Sequence, residues 1–319
     1  MNIQPILGFE IEQKKGRGED AAVCIAPPHS KAALIACLDG CGGSGAKIYP
    51  NAENWTGARI ASYSNGRMLA AWYEHNALAR LGLQDYPAER IAQSMAQALR
   101  ENTEQIKNEA GGTSTRAIVS SMIRQFPTTL SCAIVSETDD APRCLWLWAG
   151  DSRGFLLTQQ GLVQTTVDDI RGAADPFDNI EQDGVLSNVI SAAPFRINVR
   201  EAAIRRPCLV LTATDGCFSY FRSPMEFEMT LLATLQAAKS LAEWREFLIA
   251  RIGQFASDDY TMEILGVGFE TFDAIKAYYL PTLQRFRERY GQRIANAGSR
   301  EELRAVWEQY KEGYLRTQL

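Results

Sequence analysis

The feature that most constrains this chain is an apolar run that stops abruptly on a carboxylate. Ala33–Leu38 has the length and apolarity of a strand buried on both faces. It ends at Asp39, and Gly40, Gly42, Gly43 and Gly45 follow within six residues. Glycines allow positive φ and close backbone approach. A core strand here delivers a carboxylate into a turn where side chain and backbone could both meet something small and charged. Cys208–Thr214 repeats the device and ends at Asp215-Gly216.

The elements around these strands predict a mixed fold. Residues 6–12 alternate as a strand, and Ala21–Ala26 with Lys31–Leu38 read as a hairpin joined by PPHS. Thr56–Leu81 is helical in pattern. A second helix runs from Pro87, which suits a first turn, to about Ala110, with Gly111-Gly112 as its stop. Leu130–Ser136, Arg143–Ala149, Gly154–Thr158 and Leu162–Thr166 are short apolar strands. Thr166–Asn188 is polar and irregular, with five aspartates: Asp168, Asp169, Asp175, Asp178 and Asp183. Loops of that length are often functional. Pro224–Phe255 is helical, and Met262–Phe269 is a last strand.

Beyond Glu270 the character changes. The first 269 residues are near −7 in charge, whereas 270–319 are near +2. Phe272, Ile275, Tyr279, Leu283, Phe286 and Tyr290 step by three or four as an amphipathic helix, which Pro281 should kink. Ser299 with Glu302 reads as a capping box before a further helix through Trp307 and Tyr314. This tail is expected either to pack on the main body or to offer a protein contact.

The chain has a net charge of −5 and no basic stripe, which argues against nucleic acid as a partner. No apolar run nears the ~18 residues that cross a bilayer, so no membrane association is expected. The N-terminal stretch lacks the apolar centre of a secretory signal. Seven cysteines without a CxxC are read as reduced thiols. Together these features predict a cytoplasmic protein.

Three motifs compete for the chemistry. Gly40–Gly45 matches GxGxxG, but a dinucleotide fingerprint needs a βαβ unit and an acid about 20 residues on. Here the strand belongs to a hairpin, and positions 60–65 hold no acid. Gly150–Gly154 matches GxSxG, but a nucleophile elbow needs a helix after the serine and a later histidine. A strand-like stretch follows, and the two histidines, His29 and His75, both lie earlier. The third reading uses Glu19, Asp20, Asp39, Asp151, Asp215, Asp258 and Asp259, all at strand ends or adjoining turns. Clustered carboxylates repel, so sharing a site requires cations. Hard oxygen donors select Mg²⁺ or Mn²⁺, and a pair of such ions suits phosphoester hydrolysis.

With these residues the chain resembles the PP2C-type, metal-dependent protein serine/threonine phosphatases, chiefly their bacterial forms. Glu19-Asp20, LDGCGG at 38–43, AGDSRGFLL at 149–157, TATDG at 212–216 and SDDYT at 257–261 follow that family's motif order across residues ~6–269. The resemblance implies an α+β fold, a four-layer αββα sandwich of two antiparallel sheets flanked by helix pairs. Residues 1–269 would form the phosphatase domain and 270–319 a C-terminal helical extension. It implies two Mn²⁺ or Mg²⁺ ions, with Asp39 bridging both and the Gly40 carbonyl helping to hold one. Glu19 would serve one ion, and Asp215 with the terminal Asp the other. Asp259 is preferred to Asp258 for that terminal position. Asp20 and Asp151 would lie behind these ligands or hold a third, weaker ion.

The activity implied is hydrolysis of phosphoserine and phosphothreonine in a protein substrate by a metal-activated water, opposite a cognate Ser/Thr kinase. Substrate phosphate would meet Lys15, by spacing, or Arg17, by its bidentate chemistry. The chain departs from the family at Cys41, where many members have a histidine taken as general acid, and at Tyr260, where Asp259-Tyr260 stands in the terminal motif. The alternatives are a regulatory binding module that has kept the metal site, and a small-molecule phosphohydrolase.

Overall fold

The computed structural model describes residues 3–83, 86–110, 125–138, 141–172, 175–180 and 184–316. The Gly111-Gly112 helix stop and Asp183 lie outside the described residues.

Two five-stranded antiparallel sheets form the centre. The first contains β1 (Ile3–Ile11), β8 (Arg153–Thr158), β9 (Gly161–Gln164), β11 (Cys208–Ala213) and β12 (Tyr260–Val267), in the order β1-β12-β11-β8-β9. The second contains β2 (Ala21–Ile25), β3 (Ala32–Leu38), β6 (Leu130–Ser136), β7 (Arg143–Ala149) and β10 (Asn198–Ala203), in the order β10-β7-β6-β3-β2. After the single helical turn α1 (Gly42–Gly45), a two-residue pair, β4 (Ile48–Tyr49) and β5 (Trp55–Thr56), stands apart.

Side-chain alternation makes the layers. Along β3, Ala33 and Ile35 face a cluster between the sheets with Trp146, Leu156, Val210 and Leu265. Leu34, Ala36 and Leu38 face outward to α2 (Gly57–His75) and α4 (Ala88–Ala110), against Leu69, Trp72, Met95 and Leu99. Both faces of the strand are therefore dry, as a continuous apolar run requires. The first sheet is covered on its outer face by α5 (Pro224–Ala237) and α6 (Leu241–Ile252). The architecture is the expected four-layer αββα sandwich.

The helices break where local chemistry dictates. The stretch expected as one helix from Thr56 to Leu81 splits at Ala77, whose φ is +52°, before the single turn α3 (Leu78–Leu81). Pro224–Phe255 is two helices, because Ser240 caps the second by accepting a bond from the Glu243 N–H. Strand β10 has no counterpart in the sequence reading. It pairs with β7 at the sheet edge, and its Arg200 and Glu201 dilute the apolar signal.

The extension comprises α7 (Phe272–Phe286), α8 (Gln292–Asn296) and α9 (Arg300–Tyr314). Helix α7 runs through Pro281, and a π-helical turn spans Arg287–Gly291. Ser299 accepts the Glu302 N–H at 3.2 Å. The Glu302 carboxylate answers one residue earlier than a capping box requires, at the Gly298 N–H. Ile275, Tyr279, Trp307 and Tyr314 share one buried cluster with Phe155, Leu211 and Phe227, so the extension packs on the sandwich. The cysteines are unbridged. Among the described residues no helix is long and apolar enough to cross a membrane.

Candidate metal centre

The acidic turns meet at one end of the two sheets. Asp39 follows β3, Asp151 precedes β8, Asp215 follows β11, and Asp258-Asp259 precede β12. Antiparallel order brings these ends together although up to 220 residues separate them.

Gly40, Gly42 and Gly45 are needed for room, not for positive φ, whereas a Cβ on Gly43 would meet nothing. None of Gly40, Gly42, Gly43 and Gly45 lies in the left-handed region. A Cβ on Gly40 would sit 2.7 Å from the Glu19 carbonyl and 2.8 Å from the Ala58 backbone. One on Gly42 would strike the Glu19 carboxylate, and one on Gly216 the Asp259 carbonyl. The two Asp-Gly turns thus let their acids approach neighbouring turns at backbone distance. Gly40 donates its N–H to the Glu19 carbonyl at 3.1 Å, tying the first acidic turn to the second. Gly150 does need its conformation: its φ is +98°, and it places Asp151 at the head of β8.

The electrostatics identify a site. Burial first, then Asp215, Asp20, Asp151 and Asp258, push the Asp39 carboxyl well above the usual range. No hydrogen-bond donor of the described residues reaches that carboxylate. The Asp39 backbone is held instead: its carbonyl accepts the Thr129 N–H and the Thr128 hydroxyl, each at 2.8 Å. Asp20 is 3% exposed and is raised by burial and by Asp215 and Asp259, despite a 2.8 Å bond from the Thr214 hydroxyl. Asp151 is raised by burial, Asp215 and Asp168. Glu19 is raised by burial, Asp259 and Asp258, against a bond from Thr56 and the nearby Arg59. Acids that face acids in a low-dielectric cleft call for a cation.

The donors fit hard divalent ions, being carboxylates and backbone carbonyls with no imidazole or thiolate set among them. Among the described residues no three His, Cys, Asp or Glu side chains close on one point. That arrangement is compatible with Mg²⁺, which keeps several waters and takes only one or two carboxylates per ion.

The terminal pair divides its labour. Asp259 is 9% exposed, and its two oxygens accept the N–H groups of Gln13 and Glu19 at 2.8 and 2.7 Å. It is a clamp between the β12 turn and the Glu19 loop. Asp258 is exposed and faces Asp39 and Glu19. Tyr260 is a core residue at 5% exposure, with its ring edge against Phe9 and its hydroxyl on the Ile249 carbonyl. Cys41 is half-buried, with Sγ 4.0 Å from the Asp39 carbonyl.

Lys15 and Arg17 are exposed on the loop leading to Glu19. The cation that the acids feel there is Arg59, which the sequence reading missed. Its guanidinium donates to the Gly16 carbonyl at 2.6 Å and stacks 4.5 Å from the Trp55 ring centre. No motif marks it, because α2 alone carries it to the loop. Ser152 of the GxSxG match is 1% exposed and bonded to Thr129 at 2.6 Å, which removes it as a nucleophile.

The four described aspartates of the irregular stretch are structural. Asp168 accepts both Arg153 Nε and Nη2, at 3.0 and 2.7 Å, along with Gln164 and Asn179. Asp169 accepts Asn188 and Asn198 and caps the Gly150 turn. Asp175 and Asp178 take Trp307 and Arg304 from the extension, and Arg300 and Arg304 also lie over the Phe177 ring.

No family model and no curated protein matches the sequence. Solved structures do match. The Mycobacterium tuberculosis serine/threonine phosphatase PstP/Ppp is 16% identical, matched over 84% of this chain and 100% of its own, with a TM-score of 0.58. Staphylococcus aureus serine/threonine phosphatase Stp1 is 14% identical over 84% of this chain and 94% of its own, with a TM-score of 0.58. A C. elegans sex determining protein reaches a TM-score of 0.59 at 16% identity, over 88% of this chain and 68% of its own. A second PstP structure holds two manganese ions. The chain has the fold of the PP2C-type phosphatases.

Proposed function

We propose that this chain is a divalent-metal-dependent phosphoprotein phosphatase acting on phosphoserine and phosphothreonine, with Mn²⁺ or Mg²⁺ as its ions. The observation that carries the reading is Asp39: a carboxylate with no donor among the described residues, ringed by Asp215, Asp20, Asp151 and Asp258. The match to solved bacterial phosphatases, one of them with two manganese ions, supports it.

In this reading Glu19, Asp39 and the Gly40 carbonyl would hold one ion and Asp39 with Asp215 the other, each ion taking two carboxylates, with Asp258 at the terminal position beside the second. Asp258 replaces Asp259 in that role, because the Asp259 oxygens are already engaged by two backbone N–H groups. Asp20 and Asp151 stand behind these ligands. The ions supply charge neutralisation at the phosphoryl oxygens and an activated water. The chain's own task is to hold its acids in place: Thr56 binds Glu19, Thr128 and Thr129 the Asp39 backbone, and Thr214 Asp20. Lys15 and Arg17, exposed beside Glu19, meet the substrate phosphate. A thiol is a poor acid for a serine leaving group, so Cys41 contributes space at its position and not a proton. The burial of Tyr260 makes it a packing residue and removes one of the two grounds for a non-catalytic regulatory module.

The test is hydrolysis of p-nitrophenyl phosphate and of a phosphothreonine peptide with Mn²⁺. Turnover by the wild-type chain and none by Asp39→Asn is expected. Equal rates for the two would sink the assignment.

A further inference from the structure

The extension encloses a cavity of about 450 Å³ against the turn between β8 and β9. None of the acids of the metal centre lines it. It opens beyond Thr158, at the far end of β8 from Asp151, roughly 20 Å away at ~3.3 Å per strand residue. A ligand there is not the phosphoester at the metal centre.

Three guanidiniums line this cavity: Arg285 and Arg289 from the end of α7 and the π-helical turn, and Arg316 after α9. Each has donors to spare. Arg285 uses one nitrogen on the Gln159 carbonyl and Thr282. Arg316 bonds the Thr158 hydroxyl at 2.8 Å. Arg289 lies over the Tyr290 ring at 5.5 Å. Among the described residues none of the three forms an ion pair, whereas Arg300 and Arg304 of the same extension both pair with Asp178.

Two acids also line the cavity, exposed Glu312 and buried Glu228, against three guanidiniums. Glu228 is 1% exposed and accepts the Tyr310 hydroxyl and the Leu162 N–H. Burial pushes it up to about 7, and of the three arginines only Arg316 is close enough to influence it. The local backbone carries a second sign. The π-helical turn Arg287–Gly291 bears both Arg289 and Tyr290 on the cavity wall, and such turns are rare and frequent at functional sites.

We propose that this seam is a second binding site, for a nucleotide-like organic phosphate. Arg285, Arg289 and Arg316 take the phosphate oxygens, for which guanidinium forks are suited. Arg289 lies over the Tyr290 ring, and turning its guanidinium to the phosphate would open that ring to the planar base. The volume falls within the range of small-molecule sites. The ligand joins α7 and the chain end after α9 to the β8–β9 turn, so it bridges extension and sandwich. This inference stands apart from the phosphatase reading and survives its failure.

The experiment is isothermal titration of the full chain with ADP, and separately with inorganic phosphate, in EDTA. Without divalent ions the acidic centre repels anions, so heat reports the seam. Saturable binding of one ADP per chain is expected, weakened about tenfold or more in Arg285→Ala/Arg289→Ala. Both side chains are exposed, and an unchanged thermal unfolding curve verifies that the variant folds. Three outcomes overturn the proposal: no saturable heat from ADP at millimolar concentration, unweakened binding by the double variant, or inorganic phosphate binding as tightly as ADP.

Discussion

Strand β8 separates two opposite solutions to buried charge. At its head, Asp151 joins acids whose carboxyls are raised by burial and by one another. Two residues on, Arg153 is 2% exposed and held by Asp168 in a two-pronged pair through Nε and Nη2, with its guanidinium 4.4 Å from the Phe218 ring centre. The second set is closed within the protein: Asp168 also takes Gln164 and Asn179, and Phe177 on the same loop stacks on Trp307 of the extension. The first set is open. Buried charge that the chain pairs for itself is architecture, and buried charge that it leaves unpaired belongs to a ligand.

That contrast breaks first at Asp39. Asp39→Asn is expected to reduce Mn²⁺-dependent hydrolysis of p-nitrophenyl phosphate to background, yet to raise the metal-free melting temperature at pH 8. Removing a repelling charge stabilises an open acid set. The folded-state acids are raised above their unfolded values. Their contribution to stability is therefore greatest in acid and is lost as pH rises through the folded values. A lower metal-free melting temperature in the variant would mean that Asp39 is paired inside the chain after all.

The closed set should answer in the opposite way. Arg153→Met leaves Asp168 buried without its partner and is expected to cost about 3–5 kcal/mol in urea unfolding. Arg153→Met with Asp168→Leu should recover much of that loss, since an apolar pair of similar volume needs no charge balance. A single variant as stable as the wild type would show that the pair is not sealed from water.

A third, smaller effect lies at Glu228, an acid that is partnered but still strained by burial. Its ordinary value of 4.5 is raised to about 7. The folded state therefore holds its proton more tightly, and stability falls as pH rises from 4.5 to about 7. Glu228→Gln should remove up to about 3 kcal/mol of that fall, read as the difference between the two stability–pH curves. Identical slopes would place Glu228 among the ordinary carboxyls. The smallest effect is at the surface of the extension, where Ser299→Ala removes the α9 cap and should cost about 1 kcal/mol.

The sequence by itself marked the core strands and the acids at their ends, and the motif order behind the PP2C-type resemblance implied the sandwich. Ala33–Leu38 and Cys208–Thr214 are apolar throughout, and only a strand dry on both faces tolerates that. Their abrupt ends at Asp39 and Asp215 mark the places where charge must meet a ligand or water. Short-range pattern was enough because burial and periodicity are local properties of the chain.

What the tertiary structure decided is whatever depends on distance between remote turns. The glycines prove to be steric clearances for Glu19, Ala58 and Asp259, not left-handed hinges. Asp259 is occupied by backbone N–H groups from residues 13 and 19, which leaves Asp258 facing the centre. Arg59 reaches the Gly16 loop from a helix with no motif. Edge strand β10 is too polar to announce itself. The tail closes over Phe177 and the β8–β9 turn, where arginines and a buried acid gather from four separate segments. A residue's type and spacing record what it can do. Which partner comes within about 3 Å of it is set only when the chain folds back on itself.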